Sequence, residues 1–165
     1  MLLAMTTGLE HMVCFDLYAA SRAMTAMYRP RLDAAGLTYP QYLAMCVLWH
    51  RSPVTVRSLG EALRLDSGTM SPLLKRLIAQ GRVRKERGSA DERTVWIDLT
   101  PAGRALQEQL AGLPLEIARG AGLTLDEFQQ LHHLLGRVHT PGRADAAPVH
   151  NAPGSSTAPG SAATS

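Results

Sequence analysis

The chain predicts a mainly α-helical fold that carries a small β-hairpin wing, and three observations within residues 55 to 100 lead there. Two short segments with helical apolar spacing stand side by side. A hairpin pattern follows them directly. Positive charge gathers on this same stretch rather than spreading over the chain. Two helices followed by a basic hairpin is the order of elements in a winged helix-turn-helix, a module that lays one helix in a DNA groove.

HMVCFDLYAASRAMTAMY, His11 to Tyr28, has many helix formers and neither Gly nor Pro, so it reads as one amphipathic helix that Pro30 ends or bends. Thr38 with Gln41 has the form of a capping box, Pro40 is tolerated in a first turn, and YLAMCVLWH continues a largely buried helix to about His50. Thr55 caps a short helix through Leu65 with Val56, Leu59 and Leu63 inward. Asp66 opens the next. There Met70, Leu73, Leu74, Leu77 and Ile78 form the apolar side, while Gly68, Thr69, Pro72, Lys75 and Arg76 lie opposite. Pro72 allows two forms, a shorter helix capped by Ser71 or a longer, bent one.

Gly81 closes that helix, and strands Val83 to Glu86 and Arg93 to Leu99 flank the turn GSADE. In the second strand Val95, Ile97 and Leu99 alternate with Thr94, Trp96 and Asp98. Thr100 and Pro101 start a helix expected to bend at Pro114 and end near Gly120. Thr124 and Glu127 box the start of a last helix to about Val138. Residues 1–9 read as a flexible lead. Residues 139–165 turn to Pro, Gly, Ala, Ser and Thr, which bury too little surface to offset ordering entropy, and are expected to be disordered.

Residues 55 to 104 hold ten Lys or Arg against six Asp or Glu, so this stretch alone exceeds the chain's net +3. A concentrated positive face suits a phosphate-lined partner through counterion release. Ser67, Thr69 and Ser71 are candidate donors to bases or phosphates, and Lys75 and Arg76 suit phosphate or guanine. Arg84, Lys85, Arg87 and Arg93 on the hairpin suit flanking backbone or minor groove. Asp91 is read as stiffening the wing beside Arg93. No run reaches the roughly 18 apolar residues of a membrane span, so a cytoplasmic location is expected. Neither a metal nor a cofactor is assigned, because the histidines are scattered and adjacent His132 and His133 point apart on a helix.

Cys14 and Cys46 are too few for a secreted disulfide framework. Cys14 shares a helix face with Tyr18 and Tyr28, yet at about 1.5 Å per residue Cys14 and Tyr28 lie some 21 Å apart along the axis. They can meet only across a second copy. Taken alone, Cys14 is better explained as a small apolar core residue. A dimer is expected on separate grounds, since residues 10–37 and 101–138 leave apolar helix faces needing cover and two readers match two half-sites.

The strings CFDLYAASRAMTAMYRPRLDAAGLTYPQYLAMCVLW, LDSGTMSPLLKRL and DERTVWIDLTPAG resemble the organic-hydroperoxide-sensing repressors, OhrR type, of the MarR family over about residues 10–138. That resemblance implies a dimeric MarR-type domain with 38–100 as its winged helix-turn-helix. It implies that Cys14 is the peroxide-sensing thiol and that Tyr28 and Tyr39 of the other subunit donate to its sulfur and stabilise the thiolate. Phe15, Leu17 and Met24 would then favour an organic hydroperoxide. The implied sequence is sulfenic acid, disulfide, and loss of a pseudo-palindromic operator. With no cysteine beyond Cys46, and Cys46 among apolar neighbours, the resolving group is expected to be a low-molecular-weight thiol. Two rivals remain at this level: a repressor released by a phenolic or small-acid ligand, and a thiol peroxidase. The chain is expected not to be an enzyme, because a peroxidase leaves the basic reader unexplained.

Overall fold

The computed structural model describes residues 9–87 and 94–138. Asp91 and Arg93, the first eight residues and the segment from 139 onward lie outside the described residues, as does the side chain of Arg87.

A single 3-10 turn, Leu9–His11, leads into α1, Val13–Ala34. Pro30 does not end this helix. An interior proline costs about 3 kcal/mol, and the last turn recovers this by burying Leu32 to 2% exposure and by tying Arg31 to Glu116 and to the Gln109 carbonyl. α2, Tyr39–Arg51, begins at the expected capping box, where the Thr38 N–H donates to the Gln41 side-chain oxygen at 2.8 Å. Tyr42, Met45 and Leu48 of this helix are buried and form the middle of the core.

A short strand that the sequence pattern did not signal, β1, Val54–Thr55, precedes α3, Val56–Leu63. Two residues carry too little alternation to be read as a strand. Thr55 caps α3 through its hydroxyl oxygen, which accepts the Ser58 N–H at 3.0 Å. The helix stops at Leu63 rather than Leu65, because Arg64 turns left-handed at φ 55.

α4, Ser67–Ala79, is capped by Asp66, whose carboxylate accepts the Thr69 N–H at 2.8 Å. The helix runs through Pro72, and Ser71 does not cap it; the Ser71 hydroxyl donates to the Ser67 carbonyl at 2.9 Å instead. Met70, Leu73, Leu74 and Leu77 are buried as expected, but Ile78 is exposed. Eight residues at about 100° each carry Ile78 roughly 80° away from Met70, to the edge of the apolar stripe.

β2, Val83–Arg87, and β3, Val95–Leu99, form an antiparallel ladder, and β1 joins on the other side of β3. Val83 faces Leu99, Arg84 faces Asp98 and Lys85 faces Ile97. α5, Pro101–Gln109, starts at Thr100, whose hydroxyl oxygen accepts the Gly103 N–H at 3.0 Å. The expected single bent helix is in fact two, because α6, Leu113–Gly120, is a separate element. Gly112 adopts φ +80 at the junction, a conformation glycine adopts without a Cβ penalty, and Pro114 sits in the new first turn where its missing N–H costs nothing.

The first compact unit ends at Thr124, with Leu106, Leu113 and Ile117 packed in the same core as α2. α7, Leu125–Val138, belongs to a second unit. Leu125, Leu131, Leu134 and Val138 on it are exposed.

Candidate DNA interface and thiol site

α4 presents an outward face built as its periodicity dictates. Ser67, Gly68, Thr69, Ser71, Pro72, Lys75 and Arg76 are all exposed. Two of the three candidate hydroxyl donors point their protons inward: Thr69 to Asp66 at 3.1 Å and Ser71 to the Ser67 carbonyl. Their oxygens retain acceptor lone pairs, which suit the amino groups of adenine and cytosine rather than phosphate. The Thr69 bonds, first the backbone and then the hydroxyl, hold the Asp66 carboxyl below its ordinary range, so the cap is ionised at neutral pH.

Between α3, α4 and the sheet lies an open cleft of about 1020 Å³. Its lining includes the apolar Met70, Leu74, Ile78, Val95 and Ile97 and the charged Arg57, Arg64, Lys75, Lys85 and Glu61, with Glu61 paired to Arg57 at 2.9 Å. Lys85 therefore shares the α4 side of the wing. Arg84 does not. Strand alternation puts it with Asp98 on the opposite face, where its guanidinium meets Glu86 at 2.7 Å and Asp98 closer still. The sequence grouped Arg84 and Lys85 as equivalent basic residues, whereas the register divides them between two faces. Arg87 lies in β2 opposite Val95.

Asp98 is the residue that sequence reasoning missed. Alternation with Ile97 and Leu99 marked it as outward, yet it is only 8% exposed. The Ser52 hydroxyl donates to it, the Leu99 N–H donates at 2.8 Å, and Arg84 and Arg104 supply positive charge. Against the opposing effect of burial, Ser52 first and then these groups hold its carboxyl below the usual carboxylate range. A legible signal existed: aspartate is depleted in strands, so an Asp between Ile and Leu asks for a partner.

The sensor candidates fall at two ends of α1. Cys14 is exposed in the first turn. Phe15 is exposed as well, while Leu17 and Met24 are partly covered. Tyr28, two turns from the other end, packs its ring 5.0 Å from Tyr39 and 5.7 Å from Tyr42. The structure thus brings Tyr28 and Tyr39 together and leaves Cys14 a helix length away in the same chain. The thiol these tyrosines do surround is Cys46, half-buried and hydrogen-bonded to Tyr42, a partner the sequence pass did not anticipate although position 46 is one turn beyond 42. Burial pushes the Cys46 thiol up despite that hydrogen bond.

Burial, followed by repulsion from Tyr39 and Cys46, also raises the Tyr28 hydroxyl above 10.0. Tyr39 is raised by burial and Cys46, and Tyr42 is raised further by burial and its hydrogen bond to Cys46. These phenols are neutral donors at physiological pH. A raised folded value means their contribution to stability is complete below the ordinary value of 10.0 and is lost as pH rises through the folded values. Ultraviolet phenolate titration is expected to show three of the four tyrosines ionising above 10.0, together with alkaline unfolding. A single step at the ordinary value would contradict the cluster.

With this geometry in place, the chain can be set beside known proteins. Residues 26–110 match the family model described as transcriptional regulator SarA/Rot. The organic hydroperoxide resistance transcriptional regulator of Bacillus subtilis is 44% identical over 135 residues, covering 79% of this chain and 92% of that protein. The chain belongs to the MarR/SarA family of transcriptional regulators. The regulator MgrA of Staphylococcus aureus is 37% identical, over 79% of this chain and 90% of its own. Among solved structures, a probable transcriptional regulator from Pseudomonas aeruginosa superposes with TM-score 0.73 at 31% identity, covering 79% of this chain and 99% of that one. Reduced AbfR bound to DNA superposes with TM-score 0.65 at 36% identity, covering 76% and 87%. The relatives are regulators, so this chain is a regulator and not an enzyme, and its winged helix is the family's fold. No described helix is long and apolar enough to cross a membrane.

Proposed function

We propose that this regulator is a cytoplasmic homodimeric repressor that reads a pseudo-palindromic duplex with α4 and the wing, and that oxidation of Cys14 by an organic hydroperoxide releases it. The observation that carries the reading is the separation within one chain. Cys14 is exposed at one end of α1, the neutral Tyr28–Tyr39 pair stands about 21 Å further along, and only a second copy lying antiparallel can close that gap. Met12, Val13, Phe15 and Tyr18 of the α1 end, all exposed, would be covered by such pairing. The Bacillus subtilis relative's name points to the same class of oxidant.

In the reaction, sulfur of the Cys14 thiolate attacks the distal peroxide oxygen. An S–O bond forms to the peroxide's hydroxyl oxygen, which keeps its hydrogen, the O–O bond breaks, and the departing alkoxide takes a proton from water to become the alcohol; the product is a sulfenic acid. A low-molecular-weight thiol then attacks the sulfenic sulfur, water leaves and a mixed disulfide results. A bulky group at Cys14 separates the tyrosines from the sulfur and shifts the paired helices that hold two readers at half-site spacing. Cys46, half-buried and protonated, serves packing in this scheme. Non-reducing mass mapping after treatment with cumene hydroperoxide and cysteine is expected to find the adduct on Cys14 and none on Cys46. A Cys14 to Cys46 bridge would refute the small-thiol step, and an unmodified Cys14 the sensor itself.

On the reading side, Lys85 faces α4 and Arg84 is held by two carboxylates. Against a duplex selected from a random pool by the wild type, Lys85→Ala is expected to lower the salt slope by about one phosphate's worth, more than Arg84→Ala, whose guanidinium is held by Glu86 and Asp98. The reverse order would show that the wing docks through its other face. A second reading, release by a noncovalent small acid, is favoured by the cleft of about 1020 Å³ with its apolar and basic lining residues. It requires that Cys14→Ser leave induction intact.

A further inference from the structure

We infer that Asp98 is the positioning residue of the wing, the point at which the sheet is locked onto the helical frame so that Lys85 and the hairpin meet DNA in register with α4. The inference rests on the DNA-reading role assigned above. Three separate elements converge on this one carboxylate. Ser52, the residue that ends α2, donates its hydroxyl to Oδ1, and the same hydroxyl oxygen accepts the Leu99 N–H at 3.1 Å. Arg104 on α5 approaches Oδ1 at 3.6 Å. Arg84 on β2 donates to Oδ2 from directly across the ladder. Among the described residues Asp98 is one of only two buried polar or charged side chains, and the other, Gln41, serves a helix cap.

Such a group is a costly way to gain stability. A buried carboxylate loses hydration that its partners only restore, and an apolar residue would fill the site as well. What the ion contributes is direction: its bonds to Ser52, Arg84 and Arg104 are satisfied together only in one setting of the sheet against α2 and α5. β3 otherwise meets the frame through the two-residue ladder with β1 and the apolar contacts of Ile97 and Leu99, and neither of these fixes the far strand β2 that carries Lys85. The carboxylate also draws Arg84 and Arg104 away from phosphate, which leaves the α4 side of the wing as the face that contacts DNA.

Asp98→Asn gives a test whose sign separates geometry from charge. The substitution makes the protein more positive, so simple electrostatics predicts tighter DNA binding. Positioning predicts the opposite for a specific site. Affinity for the selected duplex is expected to fall about tenfold, the worth of one well-placed base contact, while affinity for a random duplex of equal length is unchanged or raised. Hydroxyl-radical footprints should lose protection at the two outer flanks and keep it at the α4 contacts. Ser52→Ala leaves every charge in place and is expected to produce the same flank loss with a smaller change in affinity; it decides the matter if Asp98→Asn fails to fold. An unchanged ratio of specific to random affinity in a folded variant overturns the inference. Absence of duplex binding by the wild type overturns the DNA reading and this inference with it.

Discussion

Gly103→Ala is expected to remove about 3 kcal/mol of stability, with a fall in Tm of about 10 °C and loss of DNA binding at working temperature. The reason is geometric. A Cβ at position 103 would stand 2.0 Å from the Arg82 carbonyl oxygen and 3.2 Å from a Leu99 methyl. The nearer atom is backbone and cannot swing aside. That same carbonyl accepts the Thr100 N–H at 3.2 Å and its hydroxyl at 3.1 Å, which joins the end of β3 to the start of β2. Across the helix, the Gly103 carbonyl accepts Trp49 Nε1–H at 2.8 Å, and Trp49 packs edge-on against Tyr42. Pushing α5 outward would therefore disturb the wing on one side and the tyrosine cluster on the other. Calorimetry of the variant checks this, and a Tm within about 2 °C of wild type would show that α5 is not seated on β2 as described.

The paired substitution Tyr28→Phe with Tyr39→Phe is expected to slow peroxide oxidation of Cys14 about tenfold or more without loss of fold. Each phenol donating to a negative sulfur contributes about 1.5–3 kcal/mol to the charged form, and phenylalanine keeps the ring while removing the donor. The rings' own contact, 5.0 Å between centroids, survives because it needs no hydroxyl. Reduced DNA affinity should be unchanged. Rates are read by quenching with a sulfenic-acid probe, and equal rates for wild type and variant would remove the tyrosines from the mechanism. Single variants are expected to be intermediate, Tyr39→Phe and Tyr28→Phe each losing one donor. Tyr42→Phe should leave the rate alone, since its hydroxyl is engaged with Cys46.

Most of the architecture is legible in the sequence because its signals are local. Caps at Thr38, Asp66 and Thr100 and the apolar stripe of α4 each depend on residues within a few positions of one another, and each forms. The departures come where long-range packing overrides a local rule. Pro30 reads as a stop or a bend, and burial of Leu32 and the ties of Arg31 to α5 and α6 carry α1 past it. Pro114 reads as a bend, whereas Gly112 makes a full break two residues earlier. β1 is invisible because a strand of two residues exists only by virtue of β3 beside it.

The site divides in the same way. The exposed face of α4 follows from periodicity alone. That Lys85 and Arg84 lie on different faces, with Arg84 tied to Asp98, follows from strand register and long-range pairing, and neither can be read along the chain. Tyr28 and Tyr39 lie eleven positions apart on separate helices, so their contact is a product of the α1 to α2 turn. The proposed closure of Cys14 onto that pair needs two chains, and a single sequence displays only the distance along α1 that one chain leaves open.

The most direct measurement is a gel shift on the selected duplex with wild type and Cys14→Ser, each reduced, then treated with cumene hydroperoxide and cysteine, then with dithiothreitol. The account predicts that both reduced proteins bind, that only the wild type releases on oxidation, and that dithiothreitol restores its binding. Release of the Cys14→Ser protein by the peroxide, to the same extent as wild type, would contradict it.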